Sequence, residues 1–308
     1  MARWGKWVWF DGGLVEWGKA LVHVMIHSLH YGTAVFEGIR AYSLSSGGIG
    51  VFRLRDHMAR FIASAKVYRF TISYSLDELV NAVSEVVRAN GFRECYIRPI
   101  GFINAEDLPL APSSRRLSVA IAALEWGRFL GRAYDVGARA TISSWRKAPP
   151  STLPSNAKVS GHYSLSYLTS LEARSKGFDE ALMLDARGFV SEGSGENVFI
   201  VRNGTVYTPP THASALEGIT RDTVIKLLRE ELGAKVIEKD LTVGELLTAD
   251  EAFFTGTAAE VTPIVEVDGV KIGSGVPGSL TRKLQRIYDD VVHGRVPKYS
   301  GWIHVVKV

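Results

Sequence analysis

Apolar residues recur along this chain with a period of two in some segments and at helical spacing in others, a pattern that argues for a mixed α/β or α+β fold. Near the start, KWVWF and GLVEW read as two short strands around an Asp-Gly turn, a hairpin signal. From Asp56 to Tyr68 the apolar residues Met58, Phe61, Ile62, Ala65 and Tyr68 fall on one helical stripe, with Arg60 off it. The next helix has both ends marked. Ser75 and Glu78 form a capping box, Leu79, Val83 and Val86 or Val87 supply the buried face, and Asn90-Gly91 stops it. ECYIRPIGFIN follows as a strand, in which period-two alternation points Tyr96 and Arg98 the same way. RLSVAIAAL, ending at Leu124, is a second alternating segment. Farther along, EALMLD and NVFIVRNG read as strands, ITRDTVIKLLREELG as an amphipathic helix, and KVIEKDLT and DEAFFTG as the segments after it.

At 308 residues the chain is long enough for two domains, and the glycine-containing EWGRFLGRAYD marks a linker between them. We divide it as 1–124, a linker at 125–134, and 135–308. The net charge of +4 is small and its basic residues are scattered, so a nucleic-acid partner is not expected. The single cysteine, Cys95, excludes an intrachain disulfide and a cysteine-based zinc site, which fits a cytoplasmic location. MARWGKWVWF lacks the apolar stretch of a signal peptide, and no apolar run is long enough for a membrane helix.

Three motifs fail on inspection. Gly13 to Lys19 matches most of a phosphate-binding loop, but Ala20 stands where a magnesium-binding hydroxyl belongs. GSGENVF begins like a dinucleotide loop, yet has no third glycine and runs into a strand. His23, His27 and His30 have metal-ligand spacing on a helix, but VHVMIHSLH is β-branched and has no carboxylate between its histidines. We read it as a strand entering a loop and expect no metal. No G-x-S-x-G is present, so a serine hydrolase of the elbow type is not supported.

Other features cohere. Lys158 is the only Asp, Glu, Lys or Arg between Ala148 and Leu171, in a chain that is 22% charged. An ammonium kept from partners and water loses its preference for the charged state and becomes a possible nucleophile. ALEGITRDTV puts Gly218, Ile219 and Thr220 at a helix start, where backbone N–H groups and the helix dipole favour a phosphate. TGTAAEVTP offers Gly256, Thr257 and Ala258 in a small-residue turn, and Arg60 adds a charged donor. Glu192 closes an apolar strand ahead of Gly-Ser-Gly, and its own segment supplies no cation for it. Nucleophilic lysine, carboxylate and phosphate cradle together fit pyridoxal 5'-phosphate.

In that order, VHVMIHSLHYGTAVFEGIRAY, FRLRDHMARF, YIRP, SSWRKAPPSTLPSNAKVSGHY, LDARGFVSEGSGENVF, LEGITRD and TGTAAEVTP closely resemble the branched-chain amino acid aminotransferases, a family of fold-type IV pyridoxal-phosphate enzymes. The resemblance covers nearly the whole chain. It implies a mixed α/β two-domain fold, small N-terminal and large C-terminal, with the cofactor at the domain boundary. It also implies a homodimer at least, or a hexamer built as a trimer of dimers. Residue by residue, Lys158 resembles the family's Schiff-base lysine and proton shuttle, and Glu192 the carboxylate that keeps the pyridine nitrogen protonated. Arg60, Gly218, Ile219, Thr220, Gly256 and Thr257 match the phosphate site. Leu216 matches the residue packed on the ring and Tyr163 the one near its phenolic oxygen. Tyr31, Phe36, Tyr96, Arg98, Trp126, Phe129, Thr257 and Ala258 match the substrate pocket.

The implied reaction is a ping-pong exchange that carries the amino group of L-leucine, L-isoleucine or L-valine to 2-oxoglutarate. Apolar walls such as Phe36 and Trp126 suit the aliphatic side chain, and Arg98 with Tyr31 and Tyr96 suits the second carboxylate. Many relatives read W-G-x-Y where this chain has Trp126-Gly127-Arg128-Phe129. Loss of one phenolic donor costs roughly 0.5–1.5 kcal/mol, so 2-oxoglutarate affinity is expected to be weakened and partly recovered in Phe129→Tyr. An unchanged Michaelis constant for 2-oxoglutarate in that variant would refute the expectation. Rivals of the same fold are a D-amino acid or (R)-amine transaminase and aminodeoxychorismate lyase; YIRP and LDARG favour the branched-chain group. A cofactor-free Schiff-base aldolase and a non-catalytic binding protein would leave the phosphate cradle, and Lys158 with Glu192, without a purpose.

Overall fold

The computed structural model describes residues 3–106, 108–127 and 130–307. Two compact units divide the chain. One holds the described residues of Met1–Gly127, Ala157–His162 and Asp290–Val308, and the other those of Arg128–Asn156 and Tyr163–Asp289.

The first unit is built on an antiparallel sheet. Its neighbours run Ile303–Val306, Ile49–Phe52, Ile39–Ser43, Cys95–Ile103, Leu117–Glu125, Trp7–Phe10 and Gly13–Glu16. The Asp-Gly hairpin forms as expected: Phe10 pairs with Gly13, and Asp11 and Gly12 take φ values of 42° and 108°. Positive φ at both central positions is the turn geometry whose twist matches paired strands. Helix Leu76–Asn90 starts at a formed capping box. Glu78 N donates to Ser75 Oγ at 3.3 Å, Ser75 N donates to Glu78 Oε2 at 2.7 Å, and Gly91 ends the helix at φ 62°. Helix Leu54–Val67 buries Met58, Phe61 and Ala65 in the core with Leu79, Val83, Val86 and Val87 of its neighbour, and Ile62 and Tyr68 pack against that cluster. Arg60 stays off the buried stripe and keeps its head for polar partners.

One local expectation is overturned. VHVMIHSLH does not run as a strand: His27–Tyr31 is a short helix closed by Gly32 at φ 64°. β-Branching stops at Ile26, and HSLHY contains no residue that resists the helical backbone. Ser28 Oγ donates to Thr33 O at 2.6 Å and ties the turn shut. The histidines go separate ways. The His27 ring bonds Thr33 Oγ1 at 2.8 Å and Pro109 O at 3.1 Å, while His30 reaches Val24 O and His23 approaches Glu106.

In the second unit the sheet closes on itself. Val190–Gly193, Glu180–Leu184, Ala138–Arg146, Glu260–Val267, Glu251–Gly256 and Asn197–Arg202 follow one another, and a Glu192–Asn197 pair joins the last strand back to the first. Closure leaves no open edge along this ring. The seam therefore falls on Glu192, the carboxylate singled out by sequence. Helix Tyr163–Ser175 packs on Ala138–Arg146 and Glu180–Leu184, and helix Ile219–Glu230 on Glu251–Gly256. Apolar side chains including Leu182, Val198, Ile200, Phe254 and Ile264 fill the core. Among the described residues, no helix is long and apolar enough to cross a membrane.

Candidate active site

Lys158, Arg60, Tyr31, Phe36, Tyr96, Arg98 and Trp126 belong to the first unit. Tyr163, Glu192, Leu216, Gly218, Ile219, Thr220, Gly256, Thr257 and Ala258 belong to the second. Phe129 lies outside the described residues.

In the first unit the backbone on both sides of Lys158 is fixed. Its N–H donates to Ser64 Oγ at 2.9 Å, its carbonyl accepts from Phe36 N at 3.1 Å, and Val159 bridges to Val35. The half-buried side chain carries Nζ 4.8 Å from the centroid of the Phe36 ring. Position 158 is thus held by two elements while its four-carbon stem spans an aromatic face.

Arg60 is oriented by a residue that sequence reading missed. Its Nε donates to Glu37 Oε1 at 2.7 Å and its Nη2 to Glu37 Oε2 at 2.9 Å, a side-on fork. Glu37 is fully buried and also accepts from His57 Nδ1 at 2.8 Å. Burial alone would push the Glu37 carboxyl up, but Arg60 and His57 hold it well below the usual carboxylate range. Burial drives His57 the other way, below the ordinary imidazole value, against the pull of Glu37. The set is therefore an Arg60–Glu37 ion pair to which a neutral imidazole donates. His57, Arg60 and Ser64 lie at i, i+3 and i+7 of one helix, so one helical face serves both Arg60 and the Lys158 backbone. That spacing, with the Glu in FEGIR, is the only sequence trace of the arrangement.

Arg98 and Tyr96, expected on one side of their strand, meet there. Arg98 Nη2 donates to Tyr96 Oη at 2.9 Å, and its guanidinium lies 4.8 Å from the Phe36 ring centroid and 5.2 Å from that of Tyr96. Trp126 stands edge-on to Tyr96 at 5.2 Å. Gly38 makes room for this group, because a Cβ there would meet Tyr96 Oη at 2.0 Å. Tyr31 is half-exposed, donates to Leu108 O at 2.8 Å and packs on His27.

In the second unit Glu192 is buried and accepts three hydrogen bonds: from Lys147 Nζ at 2.5 Å on Oε1, and from Asn197 Nδ2 at 3.2 Å and Leu216 N at 3.0 Å on Oε2. Its own segment has no cation, as expected, but the chain provides one from just past strand Ala138–Arg146. Lys147 and Asn197 were not anticipated. The WRK and ENVF stretches contain them, with nothing local to single them out. An ionised carboxylate has about four lone-pair sites, so one acceptor position remains beside these three bonds.

Helix Ile219–Glu230 begins at Gly218 with no side-chain cap, which leaves its first-turn amides as an anion-binding end. A Cβ on Gly218 would meet Asn197 Oδ1 at 1.9 Å, so the bare backbone there is required by the Glu192 network. Ile219 and Thr220 are buried, and Leu216 and Tyr163, the latter opening its helix, are half-buried. Gly256 pairs with Glu260 across a tight hairpin formed by half-buried Thr257 and Ala258 with Ala259, and Glu260 takes a φ of 54°. A non-glycine residue held at positive φ beside a small-residue turn is the kind of strain that gathers at functional sites. The first unit thus supplies an amine and a guanidinium, and the second an uncapped helix start and a buried carboxylate acceptor.

Comparison with known proteins agrees with this chemistry. The family model described as amino-transferase class IV matches residues 34–267. The Salmonella typhimurium branched-chain-amino-acid aminotransferase is 46% identical over 302 residues, covering 97% of each chain. The crystal structure of the Escherichia coli branched-chain amino acid aminotransferase superposes with a TM-score of 0.96 at 45% identity, covering 98% of this chain and 100% of that one. The Thermobaculum terrenum branched-chain aminotransferase, solved in its PLP form, gives a TM-score of 0.92 at 37% identity, covering 99% of this chain and 100% of that one.

Proposed function

The chain belongs to the class IV aminotransferases, and from that membership we propose that it is a pyridoxal 5'-phosphate-dependent branched-chain-amino-acid transaminase (EC 2.6.1.42). The observation that carries the proposal is the 46% identity over 97% of the chain to a relative of that name, with Lys158 held through its backbone and Arg60 and Glu192 each held by polar partners.

When bound, pyridoxal phosphate supplies an electron sink conjugated to the substrate's α-carbon. Everything else falls to the chain. Lys158 would hold the cofactor through Nζ, and its free amine would move the proton of the substrate's α-carbon. Arg60 in the first unit, and the Gly218–Thr220 helix start and Gly256–Thr257 turn in the second, are the groups that would hold the phosphate. Glu192, which accepts from Lys147 Nζ, would accept from the ring nitrogen and keep it protonated. Leu216 would pack on the ring and Tyr163 would serve its phenolic oxygen.

Phe36 and Trp126 present apolar surface to an aliphatic side chain. Arg98 and Tyr96 offer donors to the γ-carboxylate of glutamate, Tyr31 would join them on giving up its bond to Leu108 O, and Thr257 and Ala258 of the second unit are assigned to substrate contact. The Arg98–Tyr96 hydrogen bond and the stacking of Arg98 on Phe36 support one surface that serves both substrates. The oligomer we propose is a homodimer at least, or a hexamer as a trimer of dimers. Tyr167, Leu168 and Leu171 expose an apolar face on helix Tyr163–Ser175, which suits subunit contact. Biosynthetic transamination and a single buried, unreactive cysteine suit the cytoplasm.

The test is the visible spectrum of purified protein with pyridoxal phosphate, before and after L-leucine alone. A yellow lysine-bound band that L-leucine bleaches is the expected result. A band that fades only with a D-amino acid would overturn the substrate, and no band would overturn the cofactor.

A further inference from the structure

The dipeptide Phe36-Glu37 touches both of the first-unit groups assigned to the cofactor, Lys158 and Arg60. Phe36 N–H donates to the Lys158 carbonyl and its ring underlies Nζ, while the Glu37 side chain takes the Arg60 fork. Glu37 is anchored in turn. Its backbone N–H donates to Pro99 O at 2.9 Å in the sheet, and His57 Nδ1 meets Oε2 from the helix that carries Arg60. With no exposure to solvent, this carboxylate has no salt-screened surface role. Its worth to the fold is also doubtful as a motive, since a buried ion pair is often no more stabilising than apolar packing of the same volume. What it supplies is direction. A side-on fork through Nε and Nη2 fixes the plane of the guanidinium.

We infer that Glu37 is a positioning residue that, held by His57, sets the guanidinium plane of Arg60 so that it meets the cofactor's phosphate. The inference rests on the proposed pyridoxal-phosphate site and adds to it a residue that touches no part of the cofactor. Loss of Glu37 should therefore weaken recognition of the phosphate and leave recognition of the rest of the cofactor alone.

The experiment titrates apoenzyme with pyridoxal 5'-phosphate and, separately, with pyridoxal, which lacks the phosphate, and follows the lysine-bound absorbance. Wild type, Glu37→Gln, Arg60→Met and the double variant are compared. For Glu37→Gln the expected result is a dissociation constant for pyridoxal phosphate raised about tenfold, the equivalent of one broken interaction of about 1.4 kcal/mol, with that for pyridoxal changed less than twofold. The double variant should lose no more phosphate-specific affinity than Arg60→Met alone. A parallel rise for both ligands would mean that Glu37 only supports the fold, and no rise for either would mean that Arg60 is set without it; each overturns the inference. Should Glu37→Gln not fold, Arg60→Lys, which keeps the charge and loses the fork, is measured instead. A pyridoxal-phosphate constant unchanged in Arg60→Lys would then overturn it. Absence of any absorbance change in wild type with either ligand would defeat the cofactor assignment itself, a different failure.

Discussion

Lys158→Ala is expected to lose turnover of L-leucine with 2-oxoglutarate by about 10⁴-fold or more. In the proposed reaction one side chain supplies both the covalent attachment and the proton transfer, and positioned acid–base catalysis alone contributes roughly 10²–10⁴. The substitution removes little that the fold uses. The position is held through its backbone, by Ser64 Oγ and Phe36 N, and both bonds survive truncation beyond Cβ. Thermal unfolding of the variant should therefore change by about 0.5 kcal/mol or less, as for substitutions away from a packed core. Steady-state assay beside a melting curve separates the two effects. Near-normal turnover would remove Lys158 from the mechanism, and turnover lost only in step with a large drop in melting temperature would return it to a structural role.

What was legible in the sequence is what short-range physics encodes. The Ser75–Glu78 box, the Asp11-Gly12 turn and the Met58–Phe61–Ala65 stripe each involve residues within a few positions of one another, where periodicity and capping chemistry operate. The failure at VHVMIHSLH is of the same range. β-Branched residues dominate its first half, and the helical HSLHY was read through them. Partners across elements leave no such trace. Glu37 meets Arg60 across 23 positions and Lys147 meets Glu192 across 45. Nothing near Lys147 or Glu37 says that either will be paired with an opposite charge from a distant element. Likewise, strand Ile303–Val306 pairs with Ile49–Phe52, and no local pattern in IHVV announces its partner. The charged groups with a role in the proposed chemistry were visible because that chemistry requires their residue types. The groups that aim them were not, because aiming is a property of three-dimensional neighbours.

Glu192 offers the second large effect, and its neighbours allow its structural and chemical roles to be pulled apart. Glu192→Gln cannot replace the carboxylate: one amide oxygen remains to accept, while Lys147 Nζ, Asn197 Nδ2 and Leu216 N all donate to this position. The Lys147 ammonium is then left facing an amide. Breaking a fully buried pair costs about 3–5 kcal/mol. Lys147 retains 20% exposure, so the expected loss lies near the lower end, about 3 kcal/mol. Turnover should fall by about 10²–10³, the scale of removing one preorganised electrostatic partner of a reacting group. Lys147→Met added to Glu192→Gln takes away the stranded charge and is expected to recover most of the stability. Turnover should not return with it, because the ring nitrogen still lacks a carboxylate. If the double variant regained activity together with its melting temperature, Glu192 would be a strut of the closed strand ring and its assignment to the cofactor would fall. If stability stayed low, the Lys147 pair would not be what Glu192 contributes to the fold, and the Asn197–Leu216 side of the network would have to carry that role.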